Sequence, residues 1–151
     1  MDLQNTATEL FLGIDIGSTT AKIVLRNKDE ILLERYERHF SQVREKTAEL
    51  LRLAKEIAGD KAVKAAISGS AGLGLAEAAH IPFVQEVFAT AQVVKLREPD
   101  TSCVIELGGE DAKIIFFKGG IDERMNGSCA GGTGAFIDQM ATLLNITVDE
   151  L

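Results

Sequence analysis

Two segments of the sequence join a carboxylate to a glycine turn, a combination suited to binding phosphate and magnesium. Asp15 ends an apolar run and is followed by Gly17, whereas Glu106 ends a second run and is followed by Gly108. Small residues let backbone N–H groups approach phosphate oxygens, and a carboxylate can hold a hydrated magnesium ion. A plain hairpin whose glycine adopts a positive φ explains either turn alone about as well. The coincidence of two such turns is the stronger signal, and it favours one nucleotide clamped between them.

The residues around each turn supply further groups for such a site. The first turn is rich in hydroxyls, whereas the second has three acids and two adjacent glycines. The first turn has the spacing of neither a P-loop nor a dinucleotide-binding loop, so those two kinds of site are excluded there. The candidate residues are Asp15, Gly17, Ser18, Thr19, Thr20 and Lys22 in the first turn, and Gly108, Gly109, Glu110 and Asp111 in the second.

A third glycine-rich segment begins with Cys129 and leads into the last predicted helix. A helix N-terminus carries partial positive charge and free N–H groups, which lower the pKa of a thiol and favour anions. Cys129 is therefore a nucleophile, a metal or cluster ligand, or a buried small side chain, and its neighbours leave these alternatives open. A single cysteine completes no metal site by itself. The other candidate residues of this segment are Gly131, Gly132, Thr133 and Gly134.

The elements that position the first turn follow from the hydrophobic pattern. Three short apolar runs separated by polar turns predict an antiparallel meander. Apolar side chains at helical spacing follow, with Ser41 as the predicted N-cap and Gly59 as the predicted stop. We predict strands at 9–16, 21–25, 31–38 and 62–68, helices at 43–58 and 88–96, and a short alanine-rich helix after a turn at 69–74.

The arrangement of strand, glycine turn and strand recurs after Pro99. The first copy begins at Asp15 and the second at Glu106, which indicates a faint internal duplication. The second copy precedes a helix whose apolar residues recur at i, i+3, i+4 and i+7. We predict strands at 102–107, 111–117 and 121–125, and an apolar helix face formed by Ile137, Met140, Ala141 and Leu144.

Composition narrows the class of protein. The 151 residues carry a net charge of −7, which argues against a nucleic-acid-binding protein. No apolar run approaches the ~20 residues of a membrane span. Two cysteines 26 positions apart form neither a disulfide framework nor a recognisable zinc site, so a cytoplasmic location is expected. We expect Cys103 to be buried in a strand, and His39 and His80 to lie at the surface.

Three ordered motifs, GIDIGSTTAK, ELGGEDAK and MNGSCAGGTGAFIDQMA, carry a family resemblance. Together they resemble the ATPase activators of 2-hydroxyacyl-CoA dehydratases and the related benzoyl-CoA reductase ATPase subunits, within the acetate and sugar kinase, Hsp70 and actin superfamily. The resemblance runs from Leu12 to Met140 and is closest to the N-terminal part of large members. It implies an α/β fold: an RNase H-like lobe with a mixed sheet at 1–98, and the start of a second lobe at 99–151.

The resemblance also implies a function. Family members couple ATP hydrolysis to electron transfer from a 4Fe–4S cluster, held by a homodimer, into a partner dehydratase or similar CoA-ester reductase. Ferredoxin or flavodoxin is the expected electron donor. By the resemblance, Asp15 is catalytic and holds Mg²⁺ through water, and Glu110 and Asp111 join it, although smaller members usually have glutamine at the position of Glu110. Cys129 matches the first cluster ligand, and the second is expected beyond Leu151.

Two other functions are compatible with parts of the pattern. A small-molecule kinase of the N-acetylhexosamine type would share both turns but would not need the CAGGTG segment. A non-catalytic nucleotide-binding or assembly lobe would retain the turns without activity. Because a full member needs two complete lobes, we interpret the chain as a fragment. We expect it alone to bind nucleotide weakly and to hold no stable cluster.

Overall fold

The structure, a computed structural model, describes residues 9–126 and 133–151. The chain divides into two compact units, Met1–Val84 and Gln85–Leu151. Cys129, Gly131 and Gly132 lie outside the described residues. None of the helices within the described ranges has both the length and the apolar character that crossing a membrane requires.

A four-stranded mixed sheet forms the base of the first unit. The strands β1 (Leu10–Ile16), β2 (Thr20–Arg26) and β3 (Ile31–Arg38) pair antiparallel in chain order, which confirms the predicted meander. The fourth strand, β4 (Val63–Ser68), pairs parallel to β1, so the order is β3-β2-β1-β4. This pairing brings the carboxyl ends of β1 and β4, where Asp15 lies, to one edge of the sheet.

The helix α1 (Val43–Ala58) covers the sheet with the apolar face that its spacing predicts. Its buried residues recur every three or four positions, and the buried apolar residues of β1 and β2 lie at alternate positions, as helix and strand geometry require. The short helix α2 (Leu73–Ala79) completes the unit. The core residues are Leu10, Ile14, Ile16, Ala21, Ile23, Leu25, Leu33, Leu50, Ala54, Ala58, Ile67 and Ala76.

The two ends of α1 differ in how well the sequence predicts them. Gly59 ends the helix at φ 60° and donates its N–H to the Lys55 carbonyl at 2.9 Å, as predicted. The prediction of Ser41 as the N-cap is wrong, because Gln42 occupies that position and Ser41 lies before it at φ 65°. Phe40 is also left-handed, at φ 47°. Such a conformation costs a non-glycine residue about 1–2 kcal/mol, so the tertiary structure must hold this turn.

An antiparallel three-stranded sheet of order β5-β6-β7 forms the base of the second unit. The sequence predicts the helices and strands of this unit to within a few residues, but not its final 3-10 turn. The unit begins at Gln85, so the helix before the sheet belongs to it. Its elements are α3 (Glu86–Arg97), β5 (Cys103–Leu107), β6 (Ala112–Phe116), β7 (Asp122–Met125), α4 (Gly134–Leu144) and a 3-10 turn at Val148–Glu150.

The strand β5 exposes one of its faces. Cys103, Ile105 and Leu107 alternate along β5 on this side, and all three are exposed. The expected burial of Cys103 is therefore wrong. An apolar run predicts that a strand forms but not that both of its faces are covered, and among the described residues nothing covers this one.

Candidate functional site

The two predicted turns share one hydrogen-bonded conformation. In the first, the Gly17 N–H donates to the Thr20 carbonyl at 2.9 Å. In the second, the Gly108 N–H donates to the Asp111 carbonyl at 2.8 Å. Each turn therefore closes a hairpin with two residues between the bonded pair, and each exposes small or polar residues at its tip.

An acid and a lysine face each other across the strands behind each turn. In the first hairpin, Asp15 pairs in register with Lys22. In the second, Glu106 pairs in register with Lys113. Since both pairs sit one position outside the last pair before the turn, the duplication in the sequence is also a duplication in strand register.

The two carboxylate oxygens of Asp15 have different surroundings. Oδ2 accepts a hydrogen bond from the Lys22 ammonium at 2.6 Å, and that ammonium lies 5.2 Å from the centre of the Tyr36 ring. Oδ1 is buried and has no hydrogen-bond partner among the described residues. The hydroxyl of Ser68, which pairs in register with Asp15 across β4, is likewise buried and without a partner in the described part of the chain.

This arrangement fits a hydrated magnesium ion. A buried carboxylate oxygen without a donor carries a desolvation cost, which a water bound to a cation would offset. Magnesium usually keeps several waters and takes one or two carboxylates together with substrate phosphates. Within residues 9–126 and 133–151, no group of three or more His, Cys, Asp or Glu side chains could hold a metal ion by itself.

A third loop, which the sequence predicts as a turn, packs against Asp15. Gly69 has φ 95°, and a Cβ there would overlap the Ile16 carbonyl and lie 2.5 Å from Asp15 Oδ1. The Ala71 N–H donates to the same Ile16 carbonyl at 2.9 Å. The glycine-rich segment at 69–74 was the available signal, but its contact with a residue more than fifty positions away depends on the parallel pairing of β1 and β4.

His39 is a further residue that sequence reasoning missed. The expectation that it lies at the surface is wrong, because it is only 4% exposed and its Nε2 lies 3.1 Å from the Gly17 carbonyl oxygen. The same expectation for His80 is confirmed. Nothing in the spacing of His39 marks it, because it reaches the first turn through the pairing of β3 with β2.

The second turn is tied to the start of α4. The Gly108 carbonyl accepts a hydrogen bond from the Gly134 N–H, and the Gly109 carbonyl accepts one from the Ala135 N–H, both at 2.9 Å. The Gly134 N–H is thus occupied by the turn, and phosphate binding through Gly134 stays a prediction. Thr133, just before the helix, is fully buried.

The tip of the second turn exposes two of the predicted catalytic acids. Glu110 and Asp111 are both exposed. The next residue, Ala112, is held by Asn126 through two hydrogen bonds. The side-chain oxygen of Asn126 accepts the Ala112 N–H at 2.9 Å, and the backbone N–H of Asn126 donates to the Ala112 carbonyl at 3.0 Å. Asn126, for which the sequence predicts no role, therefore fixes the base of the turn.

Lys113 is buried beneath this turn among carboxylates. Its ammonium pairs with Glu86 of α3 and lies 3.8 Å from Glu106 of β5. Burial alone would lower the pKa of Lys113, but the hydrogen bond to Glu86 and the charges of Glu106, Glu86 and Glu123 outweigh it and hold that pKa above its usual value. The ammonium is therefore charged at neutral pH and fastens α3 to the sheet.

The mixed sheet with its glycine turn, followed by a second hairpin of the same kind, defines a nucleotide-binding fold of the actin, Hsp70 and sugar kinase superfamily. The solved structure of the PPX-GPPA enzyme of Aquifex aeolicus shares this fold at 18% identity, with a TM-score of 0.51 over 89% of this chain and 55% of that one. The chain belongs to the BadF/BadG/BcrA/BcrD ATPase family, which it matches over residues 12–151.

Three relatives of the chain are named as activators of CoA-ester dehydratases. The chain is 30% identical to the 2-hydroxyisocaproyl-CoA dehydratase activator of Clostridioides difficile, over 93% of the chain and 54% of that protein. It is 32% identical to the (R)-2-hydroxyglutaryl-CoA dehydratase activating ATPase of Acidaminococcus fermentans, over 93% of the chain and 55% of that protein. The chain spans about half the length of the curated relatives it matches.

Two solved structures related to such dehydratases match the fold. The 2-hydroxyisocaproyl-CoA dehydratase activator of Clostridium difficile, solved with bound ADPNP, superimposes with a TM-score of 0.77 at 28% identity, over 93% of this chain and 54% of that one. Component A of the Acidaminococcus fermentans (R)-2-hydroxyglutaryl-CoA dehydratase gives a TM-score of 0.72 at 28% identity, over 92% of this chain and 55% of that one.

Proposed function

We propose that this chain is the nucleotide-binding part of an activator that uses ATP hydrolysis to drive an electron from a 4Fe–4S cluster into a 2-hydroxyacyl-CoA dehydratase or similar CoA-ester reductase. The observation that carries the proposal is the pair of matching hairpin turns, each with a facing acid and lysine behind it. The names of the relatives as dehydratase activators support the class of partner.

In this proposal the two turns bind phosphate groups of Mg-ATP. Asp15 would hold the magnesium ion through water by its unpartnered Oδ1, and Lys22 holds the other carboxylate oxygen in place. Magnesium would supply neutralisation of the phosphate charge. Phosphoryl transfer depends mainly on such positioning and charge neutralisation, so the side chains need supply little covalent chemistry. Glu110 and Asp111, exposed at the second turn, are proposed to orient the attacking water.

The link from nucleotide to cluster is proposed to run through α4. The carbonyls of Gly108 and Gly109 accept the first N–H groups of this helix, so a shift of the turn on loss of the γ-phosphate would pull on the helix. Cys129 precedes α4 in the sequence, and we propose it as one cluster ligand. A homodimer sharing the cluster, and ferredoxin or flavodoxin as electron donor, complete the proposal.

The test uses the full-length protein that contains this chain, prepared without oxygen. Asp15→Asn is expected to lower Mg-ATP hydrolysis about 100-fold or more, the range seen when a group that stabilises transition-state charge is lost. Asp29→Asn is the matched control, since Asp29 lies in an exposed turn and its substitution removes the same charge. Equal hydrolysis by both variants would contradict the role of Asp15.

Iron and acid-labile sulfide, measured on the same preparations, test the cluster. Cys129→Ala is expected to lose the cluster, whereas the control Cys103→Ala keeps it because only Cys129 matches the family's cluster motif. An iron-free protein that hydrolyses ATP would overturn the electron-transfer function and favour a small-molecule kinase. A protein that binds no Mg-nucleotide would favour a non-catalytic lobe.

A further inference from the structure

The buried imidazole of His39 makes a defined set of contacts behind the first turn. Its Nε2 lies 3.1 Å from the Gly17 carbonyl oxygen, and its Nδ1 lies 3.2 Å from the Ser41 backbone nitrogen. The Ser41 N–H can only donate, so Nδ1 must be the unprotonated acceptor. Nε2 then carries the proton of a neutral ring and donates it to Gly17. The hydrogen-bond partners thus assign the tautomer.

These contacts hold carbonyl groups of the first turn on the side that faces His39. The His39 ring holds the Gly17 carbonyl, and the His39 backbone N–H holds the Thr19 carbonyl at 3.2 Å. In a trans peptide the C=O and the following N–H point in opposite directions. Fixing the Gly17 carbonyl on the ring therefore directs the N–H of Ser18, an exposed residue, away from His39.

We propose that His39 is a positioning residue of the phosphate-binding turn, acting through the Gly17 carbonyl; this rests on the proposed function, in which the turn binds a nucleotide phosphate. A carbonyl oxygen that faced the phosphate would repel it, whereas a fixed N–H attracts it. With its carbonyls held in advance, the turn needs no reorganisation when the anion arrives.

The strained backbone after β3 supports this role. Phe40 and Ser41 are consecutive non-glycine residues with left-handed φ values of 47° and 65°. This turn places the Ser41 N–H on the imidazole while the imidazole contacts Gly17. Strain of this kind persists where the surrounding structure requires a particular geometry, and it is concentrated at binding sites.

Two substitutions separate the contact with Gly17 from the contact with Ser41. His39→Gln retains an N–H donor at the reach of Nε2 but no acceptor at Nδ1. His39→Asn retains an acceptor at the reach of Nδ1 but no donor at Nε2. If the ring only stabilised the strained turn through Ser41, Asn would be the better substitute. If the ring positions Gly17, glutamine would be the better substitute.

The experiment measures Mg-ATP affinity, KM and kcat for the full-length wild type and both variants, with thermal unfolding as the check on folding. We expect His39→Asn to weaken Mg-ATP binding and raise KM about tenfold, the equivalent of one hydrogen bond. We expect His39→Gln to remain within about threefold of wild type. Wild-type affinity in the Asn variant, or an equal loss in both variants, overturns the inference while leaving the proposed function intact.

A second measurement does not depend on how stable the variants are. The ring nitrogens of His39 in the wild type can be followed by ¹H–¹⁵N correlation NMR at neutral pH. The inference requires a neutral ring with the proton on Nε2. A proton on Nδ1 overturns it whether or not nucleotide binds, whereas a wild type that binds no Mg-ATP overturns the proposed function and this inference together.

Discussion

Asp15 contacts two other parts of the first unit at the proposed phosphate site, the strand β2 and the loop that begins at Gly69. Lys22 neutralises one of its oxygens from the adjacent strand, and Gly69 leaves room for the other. The unpartnered Oδ1 costs stability in the absence of a donor, so the arrangement suits binding more than folding. A test at the scale of residues should therefore change Gly69, which packs against Asp15, and leave the carboxylate itself unchanged.

Gly69→Ala is expected to lower the free energy of unfolding by more than about 1 kcal/mol, because its φ of 95° disfavours any side chain and a Cβ would overlap the Ile16 carbonyl. The matched control is Gly74→Ala, in the helix α2, where a Cβ would meet nothing within 4 Å. That control should stabilise the protein by roughly 0.5–1 kcal/mol. Chemical denaturation of both variants checks the prediction, and equal effects would contradict it.

At the scale of elements, Lys113 joins α3 to the second sheet through a single buried ammonium. It contacts Glu86 on the helix and lies near Glu106 on β5. Its 9% exposure leaves little room for water to replace either partner. The Glu106–Lys113 pair is the counterpart in strand register of the Asp15–Lys22 pair, whose side chains are more exposed.

Lys113→Gln is expected to lower the free energy of unfolding by roughly 1.5–3 kcal/mol at neutral pH, because it removes a hydrogen bond between charged groups. The pKa of Lys113 is raised in the folded state, so its contribution is fully present below the unfolded pKa of about 10.4 and is lost as pH rises through the folded value. The stability difference from wild type should therefore stay constant from about pH 7 to 10 and shrink above that range.

Lys118→Gln, which removes an exposed lysine, is the control for that series. Denaturation curves measured across the pH range should show less than about 0.5 kcal/mol of change for this variant. If the difference in free energy of unfolding between Lys113→Gln and wild type grew above pH 10, it would contradict a raised pKa of Lys113.

At the scale of the whole molecule, the two units differ in how much apolar surface they bury. The first unit contains the entire twelve-residue core cluster of the described chain. The buried apolar residues described in the second unit are Ala91, Ile115 and Ala141. The free energy of local unfolding rises with the number of buried apolar contacts. The backbone amides of the two units should therefore not be equally protected against hydrogen exchange.

We expect backbone amides of β1 and β2 to exchange with solvent at least about tenfold more slowly than those of β5 and β6, after correction for intrinsic rates. Hydrogen exchange followed by mass spectrometry or NMR measures this directly. The antiparallel hairpins β1–β2 and β5–β6 share the same turn, so they form a matched pair. Equal protection in both would show that buried apolar area does not set the difference.

The sequence by itself determined the local elements and the proposed phosphate turns. Alternating and helical periodicities depend on neighbouring residues, so the strands, α1 and its end at Gly59 could be predicted. The second turn could be recognised from the first because both need the same short hairpin, as the Gly17 and Gly108 bonds confirm. The resemblance of three ordered motifs also predicted the family.

Only the tertiary structure decided which distant residues surround those turns. The parallel pairing of β4 with β1 brings Gly69 to Asp15, and the pairing of β3 with β2 brings His39 to Gly17. The exposure of Cys103 likewise depends on what covers β5, not on the apolar run around it. Such contacts join residues far apart in the chain, and no local preference encodes them, because their free energy is gained only when the sheet has formed.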